Sequence, residues 1–324
     1  MIQKIVLSRE EKKKLFKQVI QVWDEKNFTI TNFQTISEAI KLPVTLIETM
    51  TLHYENLFSL GNLLRKLVFK GGTAVQHYLS PKLQRGSVDL DFNTSIGHPS
   101  AIVRAIEDVN LQLEQNNNVI DIEGITFGKF MFEQDDSRSG TVTFVRILPT
   151  KLNEFIKMEQ KSIQAKKTKI QINYKHSWLP AIEIKESALN LFPSKFLLAK
   201  NNVIVPCASP GDLICDKILT LTQVKDFGRE RLKDVYDLIN LLHVKETGKY
   251  TIANKKLEAI TRSEGIKKSE LVSSALNHLE DMKSISSQVI GFKSQVAMDG
   301  WKYIDNWENS IEETISVLES EFIE

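Results

Sequence analysis

The chain has 324 residues, 42% hydrophobic and 26% charged, the composition of an ordinary globular protein with enough length for two domains and a sizeable core. Lys plus Arg number 42 against 41 Asp plus Glu, a formal charge of +1, so any nucleic-acid binding has to come from local clusters such as 161–169 and 229–233. No run approaches the roughly twenty apolar residues that span a bilayer. The charged first dozen residues lack an apolar signal core, and Cys207 and Cys215 make neither a zinc spacing nor a disulfide framework; a reduced, cytoplasmic protein away from membranes is expected.

In chain order, Ser8-Arg9-Glu10-Glu11 is a capping box that starts a helix bearing Leu15, Val19, Ile20 and Trp23 on one side. Two more helical patterns follow, one over 35–40 and one from Pro43 that includes Leu46, Met50, Leu57 and Leu64. No chemistry is legible in these residues, which read as a helical cap over a sheet. That sheet begins at Leu67-Val68-Phe69, a short apolar run stopped by Gly71-Gly72, after which Thr73 leads into the apolar-periodic segment Ala74 to Leu79. Strand, glycine turn, helix N-terminus is an arrangement that suits phosphate, because glycine lets a ligand approach the main chain and the first helical N–H groups are unpaired. The chain turns at Ser80-Pro81 and reaches Ser87-Val88-Asp89-Leu90-Asp91-Phe92, where apolar and polar residues alternate. Period two makes a strand with Asp89 and Asp91 on one side. Adjacent carboxylates repel in a plain sheet, whereas a divalent cation such as magnesium rewards them.

A loop over 94–99 precedes a helix over 100–115. Strands are expected at 120–122, 125–127, 129–132 and 141–148, with Gln134 to Gly140 a turn between two of them. Residues 169–174 alternate again and point Gln171 and Asn173 outward. Residues 201–206 read as the last strand, and the domain boundary is placed near Pro206, giving domains 1–206 and 207–324. Ser209-Pro210-Gly211-Asp212 then caps a helix on which Lys217 falls inside the apolar sector between Leu213 and Leu221. A buried ammonium without a partner is costly. It either snorkels to the surface or is held in a cleft against an anion such as a triphosphate. The next helix carries Arg231, Lys233, Asp234 and Asp237, with Asp234 at the edge of an apolar face; Arg231 and Asp234 are also spaced to form a plain structural ion pair. The tail from Lys256 is helical and undiagnostic, and is expected to pack against the helices bearing Lys217 and Asp234.

The segments Lys70-Gly71-Gly72-Thr73-Ala74 and Ser87-Val88-Asp89-Leu90-Asp91-Phe92, followed by Lys217 and by Arg231-x-Lys233-Asp234-x-Tyr236-Asp237, resemble the ordered motifs of the AbiEii/AbiGii toxin family. The resemblance spans about residues 46–242. It implies a polymerase-β-like nucleotidyltransferase core, α/β (α+β) with a mixed sheet, followed by an all-helical C-terminal domain. It also implies a toxin paired with a cognate antitoxin. By the same resemblance Asp89, Asp91, Lys217 and Asp234 are catalytic, Asp89 and Asp91 bind magnesium, and Lys70, Gly71, Gly72, Thr73, Lys217, Arg231 and Asp237 bind a nucleoside triphosphate. The implied acceptor is RNA, with the tRNA 3′ end foremost. The family's third acid often falls in the segment where this chain has Gln171. That departure leaves three outcomes open: a single-metal site, an acid supplied elsewhere (Asp121 or Glu183), or weakened catalysis. Two alternatives to RNA modification therefore stand, a binding module that has lost turnover and nucleotide transfer to a protein hydroxyl.

Overall fold

The computed structural model describes residues 8–19, 30–122, 124–149, 165–175, 184–188, 203–222 and 231–323. Expectations for Ile20, Trp23, Glu183 and Arg229, for 161–164 and for 201–202, lie outside the described residues. Helix α1 (Arg9–Val19) opens on the capping box as read: the Ser8 amide donates to Glu11 Oε2 at 2.8 Å and the Glu11 amide donates to Ser8 Oγ at 3.3 Å. Helices α2 (Ile30–Ile40) and α3 (Val44–Leu60) follow. The third helix is shorter than its apolar pattern suggested. Gly61, at φ +53°, breaks it, and Leu64 falls in a 3-10 turn leading into the sheet.

The central sheet is mixed and has seven strands, in the order β5-β6-β7-β2-β1-β9-β8. In the chain, β1 (Leu67–Lys70) runs into α4 (Gly71–Tyr78), then β2 (Asp89–Thr94) and α5 (Pro99–Gln115). Next come β3 (Ile120–Ile122) and β4 (Ile125–Phe127), paired with each other, and then β5 (Phe130–Asp136) and β6 (Thr141–Pro149). The last strands are β7 (Ala165–Asn173), β8 (Ile184–Ala188) and β9 (Ile204–Ala208). Strand β2 is central, antiparallel to β1 and parallel to β7. The alternation read from the sequence fails before the strand, where Val88 precedes β2 and is 45% exposed while Ser87 is buried, and holds within it: Leu90 and Phe92 are fully buried, and Phe69 lies against Phe92 with ring centroids 5.4 Å apart. Each such side chain contributes about 1.5–3 kcal/mol on burial. Asp89 and Asp91 take the opposite face.

Helix α3 caps the sheet through buried polar bonds as well as apolar packing. Asn56 Nδ2 donates to Thr168 Oγ1 at 2.8 Å, and the fully buried Arg146 donates to Ser59 Oγ at 2.8 Å while facing Glu55 at 3.6 Å. Pro206, the expected boundary, sits inside β9, which pairs with both β1 and β8. Beyond it the described chain is helical: α6 (Pro210–Thr222), α7 (Leu232–His243), α8 (Lys249–Glu264), α9 (Lys268–Met282), α10 (Ser286–Lys293), α11 (Trp301–Asp305) and α12 (Trp307–Phe322). The cap of α6 is the one anticipated, with the Asp212 amide donating to Ser209 Oγ at 3.2 Å. The tail packs on α6 and α7, also as anticipated. It reaches the sheet side as well. The Ala297 amide donates to the Gln84 carbonyl at 2.9 Å and the Gly86 amide to the Gln295 carbonyl at 2.8 Å, so the loop before β2 is clamped by residues two hundred positions later. No described helix is long and apolar enough to cross a membrane.

Candidate active site

Where β1 gives way to α4, the sheet and the helical half face each other across a cleft of about 390 Å³. Its lining includes Lys70, Gly71, Gly72, Asp91, Thr141, Gln171 and Asn173 from the sheet side, and Leu213, Asp216, Lys217, Thr220, Arg231 and Asp234 from the helices. The motifs singled out in the sequence thus converge, though unequally.

On the sheet side Asp91 is the residue turned into the cleft. It is the register partner of Lys70 on β1 and of Gln171 on β7, so a cation and an amide flank it. Burial pushes its carboxyl up to about 6, opposed by Lys70 and reinforced by the neighbouring charge of Asp89. Asp89 stands two residues away on the same face but outside the cleft lining, beside its register partner Lys169. Its carboxyl is also raised by burial, with Lys169 and Lys233 opposing.

The two glycines owe their identity to these side chains. Gly71 has φ +72°, and a Cβ there would collide with Oδ2 of Asp91; a Cβ on Gly72 would lie 2.5 Å from the Arg85 guanidinium. Helix α4 begins at Gly71 itself rather than after Thr73, so the expected glycine turn is already the first helical turn. Thr73 does not line the cleft. It is buried, and its hydroxyl contacts Ser87 Oγ and the Asp89 carbonyl, each at 2.6 Å, which ties α4 to the start of β2.

On the helical side, the question left open for Lys217 is resolved by geometry: it is buried and paired. Its ammonium lies 2.7 Å from Asp234 Oδ1 and 2.7 Å from Asp237 Oδ2. Burial alone would depress its pKa, but Asp237 and Asp234 outweigh that and raise it, so the lysine stays charged. Asp234 Oδ2 takes Arg231 at 3.2 Å. Burial works against the Asp234 charge, yet Lys217 and the guanidiniums hold its carboxyl below the ordinary carboxylate range. Both of its oxygens are committed to cations.

Asp237 has no exposed surface and is not in the cleft wall. Its Oδ1 accepts from Arg85 Nε at 2.8 Å and from Gln76 Nε2 at 3.0 Å, and its Oδ2 accepts from Arg85 Nη2 at 2.6 Å. Arg85 and Gln76 were missed in the sequence. The available signal was slight: a lone arginine between Gln84 and Gly86, and a glutamine on the otherwise apolar α4. Asp216, which lines the cleft, was missed as well. Lys256 from α8 donates to its Oδ1 at 2.8 Å and also faces Asp212 at 3.3 Å. Asp121, weighed as a third acid, instead accepts from Thr126 Oγ1 on the small two-stranded sheet.

Among the described residues, no group of three or more His, Cys, Asp or Glu side chains forms a ready metal cage. The donor set present is the Asp91 carboxylate in the cleft, the Gln171 side chain from the neighbouring register position, and Asp89 on the same strand face outside the lining. That fits a hard cation that takes one or two carboxylates and completes its shell with water and phosphate oxygens.

The sequence of residues 55–300, which takes in every candidate site residue, matches the family model of the nucleotidyl transferase AbiEii toxin of type IV toxin–antitoxin systems, and the chain belongs to that family. The family is one of nucleotidyltransferase toxins, with an antitoxin as partner and a nucleoside triphosphate as substrate. No curated protein matches the chain. Among solved structures, a candidate nucleotidyltransferase from H. pylori overlaps 92% of this chain and 98% of its own at 16% identity and TM-score 0.43. JHP933 from Helicobacter pylori overlaps 83% and 93% at 19% identity and TM-score 0.38. MenT4, a nucleotidyltransferase toxin from Mycobacterium tuberculosis, overlaps 97% and 99% at 11% identity and TM-score 0.41. The family assignment rests on the sequence match and not on these overlaps.

Proposed function

We propose that the cleft binds a magnesium–nucleoside triphosphate and transfers its nucleotidyl group to an RNA hydroxyl, with a tRNA 3′ end the acceptor placed first. The observation that carries this reading is the meeting, in one cleft, of the Asp91 carboxylate, the Gly71-Gly72 backbone at the start of α4 and the Lys217 ammonium. Asp91 and Asp89 would hold the magnesium, which neutralises phosphate charge and makes an attacking hydroxyl more acidic. The first-turn amides of α4 suit phosphate oxygens. Lys217 and Arg231 present fixed positive charge to the same phosphates, and Asp234 acts as the clamp that keeps both cations side by side. With its two oxygens engaged and its carboxyl held acidic, Asp234 suits orientation better than proton uptake. The acceptor hydroxyl releases its proton to solvent as its oxygen bonds to the α-phosphorus, the bond from that phosphorus to the oxygen bridging to the β-phosphate breaks, and pyrophosphate departs. A cytoplasmic setting, where the antitoxin and RNA meet the protein, accompanies this reading.

One observation favours a second reading. Gln171, in register with Asp91, brings an amide where a carboxylate would strengthen metal binding, which suits a module that retains nucleotide and turns over poorly. The deciding experiment incubates the protein with each labelled nucleoside triphosphate, magnesium and total RNA beside an Asp91→Ala control. Label in RNA that vanishes in the control supports RNA modification. Label in protein instead moves the acceptor to a protein hydroxyl. Bound nucleotide with no label transferred promotes the binding module.

A further inference from the structure

The two walls of the cleft come from parts of the chain about 150 residues apart, yet a phosphate chain held between them requires a fixed gap. A buried polar node spans that gap. Arg85 extends from the loop before β2 and clasps Asp237 with two parallel bonds at 2.8 and 2.6 Å. Asp237 in turn reaches Lys217 at 2.7 Å. In the other direction the Arg85 amide donates to Gln76 Oε1 at 2.7 Å, and Gln76 Nε2 donates both to the Gly72 carbonyl at 3.1 Å and to Asp237 Oδ1 at 3.0 Å. The chain of bonds therefore runs from the glycine backbone on one side to the ammonium on the other without a break. None of its three inner members, Gln76, Arg85 or Asp237, touches the cleft; they are 0%, 3% and 0% exposed. The Arg85 loop is itself pinned by backbone bonds to 295–297.

We propose that Arg85 is a positioning residue: through Asp237 and Gln76 it sets the distance and angle between the Gly72 backbone and the Lys217 ammonium, and so pre-forms the triphosphate site. Charge balance gives it a second task. Lys217 faces two carboxylates, and Arg85 occupies Asp237 from the far side, leaving the lysine less tightly held and one of its three donors available to phosphate. The inference rests on the proposal that a nucleotide occupies this cleft, but the geometry of Lys217 can be read without one.

The test measures nucleotide Kd, Mn²⁺ binding and the ¹⁵N signal of the Lys217 ammonium in the wild type, in Arg85→Lys and Arg85→Met, and in the double variant Arg85→Met with Asp237→Asn. Arg85→Met alone leaves a buried carboxylate short of a partner and risks misfolding. The double variant removes both charges together and reports whether the fold tolerates their loss; because Asp237→Asn also takes a carboxylate from Lys217, the ammonium signal is decided by the Arg85 single variants. The expected result for the folded variants is a nucleotide Kd raised tenfold or more, a shifted or broadened Lys217 ammonium signal and unchanged Mn²⁺ affinity, with Arg85→Lys intermediate. A merely structural arginine would let the folded Arg85→Lys variant, in which Asp237 still faces Lys217, bind nucleotide with wild-type Kd and show an unmoved ammonium signal, and that result overturns the proposal. Wild-type protein that fails to bind any nucleotide overturns the proposed function instead, while the ammonium signal continues to decide whether Arg85 positions Lys217.

Discussion

Gly71→Ala is the most direct probe of how Asp91 is seated. The new methyl demands two concessions. The backbone stays at φ +72°, a left-handed conformation that costs an L residue about 1–2 kcal/mol. The Cβ also runs into the Asp91 carboxylate, with that residue's Cβ and Cγ both 2.9 Å away, and pushing this half-buried side chain off its rotamer adds about 0.5–1.5 kcal/mol. The total is roughly 1.5–3.5 kcal/mol, and at ~2–4 °C per kcal/mol a drop in Tm of about 3–14 °C. Gly72→Ala is the matched control. It has no positive φ to maintain and meets the Arg85 guanidinium rather than the carboxylate. Scanning calorimetry and Mn²⁺ titration followed by electron paramagnetic resonance would be run on both. Gly71→Ala should lose stability and metal together, and Gly72→Ala should keep its metal while nucleotide binding suffers. A Gly71→Ala protein with wild-type Tm and wild-type Mn²⁺ affinity would refute the account of both the glycine and the carboxylate.

Three further outcomes are expected. The Asp91 carboxyl, raised from 3.8 to about 6, binds a proton in the folded state that the unfolded chain has already released, so metal-free stability should fall as pH rises from 4 to 6 and then level off; metal affinity should rise through the same window, with proton release measurable by calorimetry in buffers of different ionisation heat. Lys217→Met leaves Asp234 and Asp237 facing each other with one partner fewer and should cost about 3–5 kcal/mol in urea denaturation, along with nucleotide binding; a variant of near wild-type stability would show the ion pairs to be dispensable. Gln171→Asp places a carboxylate in register with Asp91 and should tighten Mn²⁺ binding at pH 8 while raising the Asp91 carboxyl further, and unchanged Mn²⁺ affinity would show that position 171 does not face the metal.

Local patterns proved the most legible. The caps at Ser8 and Ser209 follow from side-chain oxygens three residues ahead of orphan amides, a relation contained within four residues. The Asp89/Asp91 face and the burial of Leu90 and Phe92 follow from period-two alternation, and Lys217 was conspicuous because an ammonium interrupted an apolar helix face. Short-range reading fell short where the reason for a residue lies far along the chain. Gly71 and Gly72 looked like a turn for a ligand, yet they also leave room for Asp91 and Arg85. Asp237 looked like a ligand contact and is instead the buried partner of Arg85, 152 positions away. Asp216 could not be distinguished from a solvated helix face until Lys256, 40 positions on, was seen to hold it. Periodicity carries no information about such pairings.

The clamp between 84–86 and 295–297 sets a schedule for the protein's own synthesis. Ribosomes add about 5–20 residues per second, so roughly 10–40 s separate the emergence of Arg85 from that of the backbone that pins its loop, with Lys217 and Asp237 arriving in between. Until then the sheet can form its strands, but the two walls have no fixed spacing. A nascent chain is thus without a completed cleft for most of its time on the ribosome.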